Sequence, residues 1–170
     1  MIPRLYKLTK TDNQFIAIMG KLRQDDWLED EIKGLSFLGV DIVVSLLQNS
    51  EVYDTGLEKE EFFCVRYGIE FISFPIKDRY IPDSLPHTVE LVKYLHKTFS
   101  QDKKSIAIHC RAGIGRSSLI AACLLILDGE NPETVYELIS EARGLHIPDS
   151  EEQSVWLQKN HEIFSSEKSK

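Results

Sequence analysis

The chain has 170 residues, a length that suits one domain around a single core. Hydrophobic residues make up 42% and charged residues 28%, and 20 basic against 27 acidic residues leave a net charge of −7. That balance argues against a nucleic-acid or anionic-membrane surface, and no apolar run approaches the ~20 residues of a membrane span.

In chain order, Leu5 to Leu8 and Phe15 to Met19 read as two short strands, with Thr9 to Asn13 as the turn between them. Asp26 with Glu29 resembles a capping box, and Leu28, Ile32, Leu35 and Leu38 follow at helical spacing until Gly39. Ile42 to Leu47 is a near-continuous apolar strand, central and parallel by its pattern. Gln48 to Gly56 reads as a polar connection, and Leu57 to Tyr67 as a helix stopped by Gly68. Glu70 to Phe74 is the next strand, and it runs into a loop from Pro75 to Pro82. Asp83 or Ser84 caps a helix to about Phe99, with Val89, Val92 and Phe99 on its buried face. Gln101 to Lys104 turns into another apolar strand, Ser105 to Ile108, and Leu119 to Leu127 reads as a buried helix.

Further on, Asn131 and Pro132 start a helix with Val135, Leu138, Ile139 and Ala142 as its stripe, ended by Gly144. Ser150 starts a last helix carrying Trp156 and Ile163, and Ser165 to Lys170 is a polar tail expected to fray. Strands alternating with helices predict an α/β domain over 1–170, with a mostly parallel sheet of about five strands and helices on both faces.

Between the strand Ser105–Ile108 and the helix Leu119–Leu127 lies His109-Cys110-Arg111-Ala112-Gly113-Ile114-Gly115-Arg116-Ser117. A loop at such a strand-to-helix turn can aim its backbone N–H groups at a tetrahedral oxyanion held on the helix's positive end. Gly113 and Gly115 supply the backbone freedom such a cradle needs. Cys110 then sits at the floor of an anion site whose field favours thiolate, the nucleophilic form. Arg116 offers a planar fork for two phosphoryl oxygens. The Ser117 hydroxyl falls near the sulfur and could ease its departure as a leaving group. His109 could hold the cysteine's backbone carbonyl. Arg111 points a second positive charge to the pocket mouth or to solvent.

This stretch resembles the His-Cys-x5-Arg-Ser loop of the cysteine-dependent protein tyrosine phosphatases, and the short chain is similar to the small dual-specificity branch, its kinase-associated and prokaryotic members above all. The resemblance implies that superfamily's fold, a phosphocysteine intermediate and no cofactor or metal. It implies an anion site formed by Cys110, Arg111, Ala112, Gly113, Ile114, Gly115 and Arg116, which would take phosphate, sulfate or vanadate as well as substrate. It also requires a proton donor. Asp78, 32 positions before Cys110 in a run similar to the acid loop of these enzymes, is the leading candidate. Asp83 is the rival, and a capping role explains it better. Gln153 would position the water of the second step, as a glutamine before the last helix does in larger tyrosine phosphatases. The spacing Ser150-x-x-Gln153 also fits a capping box, and that reading is preferred.

The expected substrate is a phosphoprotein carrying phosphotyrosine, phosphoserine or phosphothreonine. A phosphoinositide or a nucleotide, a rhodanese-type sulfur transfer, and an inactive phospho-ligand module are the alternatives. The three cysteines have no metal-like spacing. Cys64 and Cys123 are expected to be buried structural residues, although Cys123 could pair with Cys110 in a redox role. His87, His96, His146 and His161 show no ligand spacing and are expected in solvent. Met1 to Met19 holds no unbroken apolar core, so no signal peptide is expected. A thiolate nucleophile needs a reducing compartment, so the cytoplasm is expected; a monomer is expected as well.

Overall fold

The computed structural model describes residues 2–11 and 13–167. Its strands are β1 Tyr6–Lys10, β2 Phe15–Met19, β3 Ile42–Ser45, β4 Glu70–Ser73 and β5 Ile106–His109. Its helices are α1 Asp26–Phe37, α2 Asn49–Asp54, α3 Glu60–Arg66, α4 Leu85–Ser100, α5 Arg116–Leu127, α6 Val135–Arg143 and α7 Glu151–Glu167. The strands form one sheet in the order β1-β2-β5-β3-β4. Only β1, at one edge, runs antiparallel.

Strand β5 is apolar on both pleats, and both faces are covered. It pairs in parallel with β2 (Ile16 opposite Ile106) and with β3 (Ile42 opposite Ile106). Ile16, Ile18, Val44, Ile106 and Ile108 point into a core filled by α4, α5, α6 and α7. The alternate positions Phe15, Ala17, Met19, Val43 and Ala107 point into a second core under α1 and α3. Helix α5 carries apolar residues all round and is buried along its whole length. A strand fixed on both sides and a helix fixed all round leave the loop between them little freedom.

Several boundaries depart from the sequence expectation. The stretch Gln48 to Gly56 is not a plain connection: it contains α2, six residues too short to carry an apolar stripe. The helix expected from Leu57 forms only from Glu60. Asp26 lies inside α1 rather than capping it, and Glu29 instead accepts from the Tyr67 hydroxyl at 2.8 Å. Ser84, not Asp83, caps α4, its Oγ accepting from His87 N at 3.2 Å. Asn131 makes a local turn, accepting from Glu133 N at 2.9 Å, and α6 starts only at Val135. Helix α7 continues through Ser165 to Glu167, because Phe164 is fully buried there; the rest of the expected tail lies outside the described residues. His96 is half-buried against Asp128 at 3.0 Å rather than in solvent, and His161 Nδ1 is buried.

Candidate active site

The loop after β5 sits where the C-terminal ends of three parallel strands converge. Its Ala112–Gly113 bend is held from two sides. Gly113 adopts φ 69 and lies so near the Met19 backbone that a Cβ would come within 2.5 Å of the Met19 carbonyl carbon. Only glycine fits there. Gly115 has an ordinary φ of −86, so its role is space and not the backbone freedom expected for it. A Cβ on Gly115 would run into the Asp149 carboxylate and come within 2.8 Å of Gln153 Oε1. Arg143, on α6, ties the outer side of the loop: Nε donates to Gly113 O at 2.9 Å and Nη2 to Ala112 O at 3.2 Å. The first N–H groups of α5 have no intrahelical partner and open toward the loop.

Cys110 is 3% exposed, and its Sγ lies 3.4 Å from Ser117 Oγ on the first turn of α5. Cys110, Arg111, Ala112, Gly115 and Arg116 line a pocket of about 140 Å³ together with Asp78, Arg79 and Asp149. Gly113 is buried behind the cradle, and Arg111 stays exposed at its mouth. Asp83 is exposed and lies outside the pocket.

Arg116 is 1% exposed and held on one edge. Its Nη1 donates to Glu51 Oε2 at 2.7 Å and to Ile76 O at 2.9 Å, and Nη2 donates to Glu51 Oε1 at 2.9 Å. Burial alone would push the Glu51 carboxyl up. The Arg116 hydrogen bonds, the Gln48 amide and the charges of Arg116 and Arg111 outweigh it and hold Glu51 below the usual carboxylate value. The other edge of the guanidinium faces Asp78: Nη2 lies 3.0 Å from Asp78 Oδ1, and Nε is buried with no hydrogen-bond partner among the described residues. An anion in the pocket would satisfy that orphaned donor.

His109 is fully buried behind Cys110, with Nε2 2.7 Å from Glu60 Oε1 and Nδ1 3.2 Å from Cys110 O. Burial pushes the imidazole pKa down, but the Glu60 charge and hydrogen bond, with the Cys110 carbonyl and sulfur, carry it up. A raised folded value places the stabilisation below the ordinary histidine pKa, and it is lost as pH rises through the folded one. Glu60→Gln is therefore expected to cost more stability at about pH 6 than at about pH 9. Urea midpoints across that range check it. A cost that grows with pH would place a neutral histidine there.

The remaining residues fall around this centre. Gln153 is fully buried, and its side chain does not cap α7: Nε2 donates to Tyr80 O at 3.1 Å. The Ser150 half of the expected capping box is present, with Gln153 N donating to Ser150 Oγ at 3.4 Å. Cys64 and Cys123 are buried and unpaired, and burial raises both thiols far above the usual value, which suits structural residues. Glu51, Glu60, Arg143 and Asp149 were not singled out by the sequence. Each meets partners distant in the chain, and only the Gln48-x-x-Glu51 spacing offered a weak local signal.

Residues 17–130 match the family described as "Polymorphic toxin system, DSP-PTPase phosphatase". The chain belongs to that family. The chain is similar to a protein of Invertebrate iridescent virus 6 that bears the provisional name tyrosine phosphatase 197R, 30% identical over 145 residues, 82% of this chain and 48% of the viral one. It is also similar to cyclin-dependent kinase inhibitor 3 of Rattus norvegicus, 35% identical over 113 residues, 55% of this chain and 52% of the other. The chain thus spans about half the length of these relatives. Its fold matches the crystal structure of kinase associated phosphatase with the catalytic-site cysteine replaced by serine: TM-score 0.84 at 20% identity, covering 98% of each chain. The tyrosine phosphatase fold expected from the loop is the fold observed, a mostly parallel five-stranded sheet between helices. Among the described residues no helix is long and apolar enough to cross a membrane.

Proposed function

We propose that this domain hydrolyses phosphomonoesters, with phosphotyrosine, phosphoserine or phosphothreonine in proteins as the substrate class, through a phosphocysteine intermediate. The observation that carries the reading is Arg116, clamped on one edge by Glu51 and facing Asp78 with its other edge, whose Nε has no partner, in the pocket that Cys110 lines. A side chain so fixed costs no reorganisation when charge builds on the equatorial oxygens. The Cys110 sulfur attacks phosphorus as the bond to the leaving oxygen breaks, and Asp78 gives that oxygen its proton. Water then displaces the sulfur, Asp78 takes its proton, and the Ser117 hydroxyl stabilises the departing thiolate. The reaction draws on no metal or cofactor, and phosphate, sulfate and vanadate are its expected pocket ligands. Three unpaired cysteines support a reducing compartment, and we place the domain in the cytoplasm as a monomer. A panel of phosphotyrosine and phosphothreonine peptides, phosphoinositides and nucleotides tests the substrate class. Turnover confined to the last two would move it away from proteins.

The acid is tested by pH. The kcat/KM profile for an aryl phosphate is expected to be bell-shaped, with one essential group working deprotonated and the other protonated. Asp78→Asn should lower the rate by about 10²-fold and flatten the limb that falls as pH rises. Asp83→Asn should keep the bell, since Asp83 stands outside the pocket. The reverse pattern would transfer the role to Asp83.

A further inference from the structure

The end of the α6–α7 connection and the first turn of α7 touch both halves of the candidate site. Asp149 and Gln153 abut Gly115 of the anion loop. The same two residues also reach the acid loop, on the far side of Asp78. Arg79 Nη2 donates to the Asp149 main-chain oxygen at 3.1 Å, and Nη1 lies 4.0 Å from the Asp149 carboxylate. Gln153 Nε2 donates to Tyr80 O at 3.1 Å. These contacts fall one and two residues after Asp78.

Two features make them more than incidental. Arg79 holds φ 65, a left-handed conformation that a residue with a Cβ keeps only where its surroundings impose it. Arg79 is the third residue of a turn closed by Tyr80 N donating to Lys77 O at 3.0 Å, and the Asp149 and Gln153 contacts fall on Arg79 and on Tyr80 and hold that turn. Gln153 is also fully buried, so water does not compete for its amide. Asp78 itself is 60% exposed at the side chain, with Arg116 Nη2 at 3.0 Å. A phosphoryl oxygen bound by Arg116 competes for that nitrogen, so the backbone around Asp78 must hold the acid in place when it works.

We infer that Gln153, with the Arg79–Asp149 contact, is a positioning clamp that holds Asp78 over the anion loop. The inference rests on Asp78 being the acid. Its role differs from handling the water of the second step, because it acts on departure of the leaving group in the first.

The test compares kcat/KM for phenyl phosphate, whose leaving group needs a proton, with 4-nitrophenyl phosphate, whose leaving group hardly does. Arg79→Ala and Gln153→Met are each made in the wild-type and in the Asp78→Asn background. Each is expected to lower kcat/KM about tenfold on phenyl phosphate and at most about twofold on the nitrophenyl ester, part of the 10²–10⁴ a general acid supplies. In the Asp78→Asn background both should change the rate by less than about twofold, because the positioned group is gone. A fraction of unfolded protein would lower both esters alike and leave their ratio intact. If Gln153→Met does not fold, the exposed Arg79→Ala carries the comparison.

Equal losses on the two esters, or full losses on top of Asp78→Asn, would overturn the clamp. So would an unchanged kcat/KM with a lowered kcat, which would assign Gln153 to the second step. An Asp78→Asn variant with wild-type activity on phenyl phosphate would sink the acid and the clamp together. An impaired Asp78→Asn with unaffected clamp variants would sink the clamp alone.

Discussion

Replacing Cys110 by serine is expected to abolish turnover while the fold and oxyanion binding survive. Serine is close in size, and the site at Cys110 is buried in packed surroundings that a slightly smaller atom does not disturb. The loop amides and Arg116 remain to hold an anion. Serine's hydroxyl stays protonated near neutral pH and needs a base to attack. His109 is not free to serve as that base: its ring nitrogens are engaged, one by Glu60 at 2.7 Å and the other by the Cys110 carbonyl at 3.2 Å. The rate should fall by a factor on the order of 10³ or more. Calorimetric titration of the variant with vanadate should still give binding. Retention of about a tenth of the wild-type rate would place the nucleophile elsewhere.

Arg116→Lys is expected to lower kcat/KM by about 10²–10³-fold although the charge is kept. The guanidinium meets two carboxylates at once, Glu51 on one edge and Asp78 at the pocket on the other. A lysine ammonium reaches one or the other. Glu51→Gln keeps the shape and weakens the grip, so a smaller loss, about tenfold, is expected. The Glu51 carboxyl is held below its ordinary value, so its contribution to stability is present above the ordinary carboxylate range and is lost as pH falls through the folded value. Acid denaturation of wild type should therefore be steeper than that of Glu51→Gln. Near-normal rates in Arg116→Lys would remove Arg116 from the oxyanion clamp.

The residues that could be read from the chain are those whose signal is local. Cys110, Gly113 and Arg116 lie in one short stretch, and the apolar runs on either side fix it as strand, loop and helix. Strand β2 was legible to the residue because both of its pleats are apolar. What stayed hidden is the support. Glu51 lies on a helix too short for periodicity, and it matters only because Arg116, far along the chain, returns to it. Arg143 looks like any surface arginine of α6, yet it donates to Ala112 and Gly113 oxygens that no side-chain pattern advertises. Gln153 was misread for a related reason. The spacing from Ser150 fits a cap, and the backbone half of that cap exists, but the side-chain amide goes to Tyr80. Where two local partners are possible, a buried third partner decides, and the sequence does not carry it.

The most direct measurement is of the covalent intermediate. Asp78→Asn, expected to slow the second displacement, is mixed with 4-nitrophenyl phosphate, whose departure hardly needs the acid, and quenched in acid during turnover, and its peptides are mapped by mass. The peptide holding Cys110 should carry one phosphoryl group on sulfur, and the Cys110→Ser protein treated alike should carry none. A phosphoryl group on another residue, or steady turnover with no phosphorylated peptide at any quench time, would contradict nucleophilic attack by Cys110.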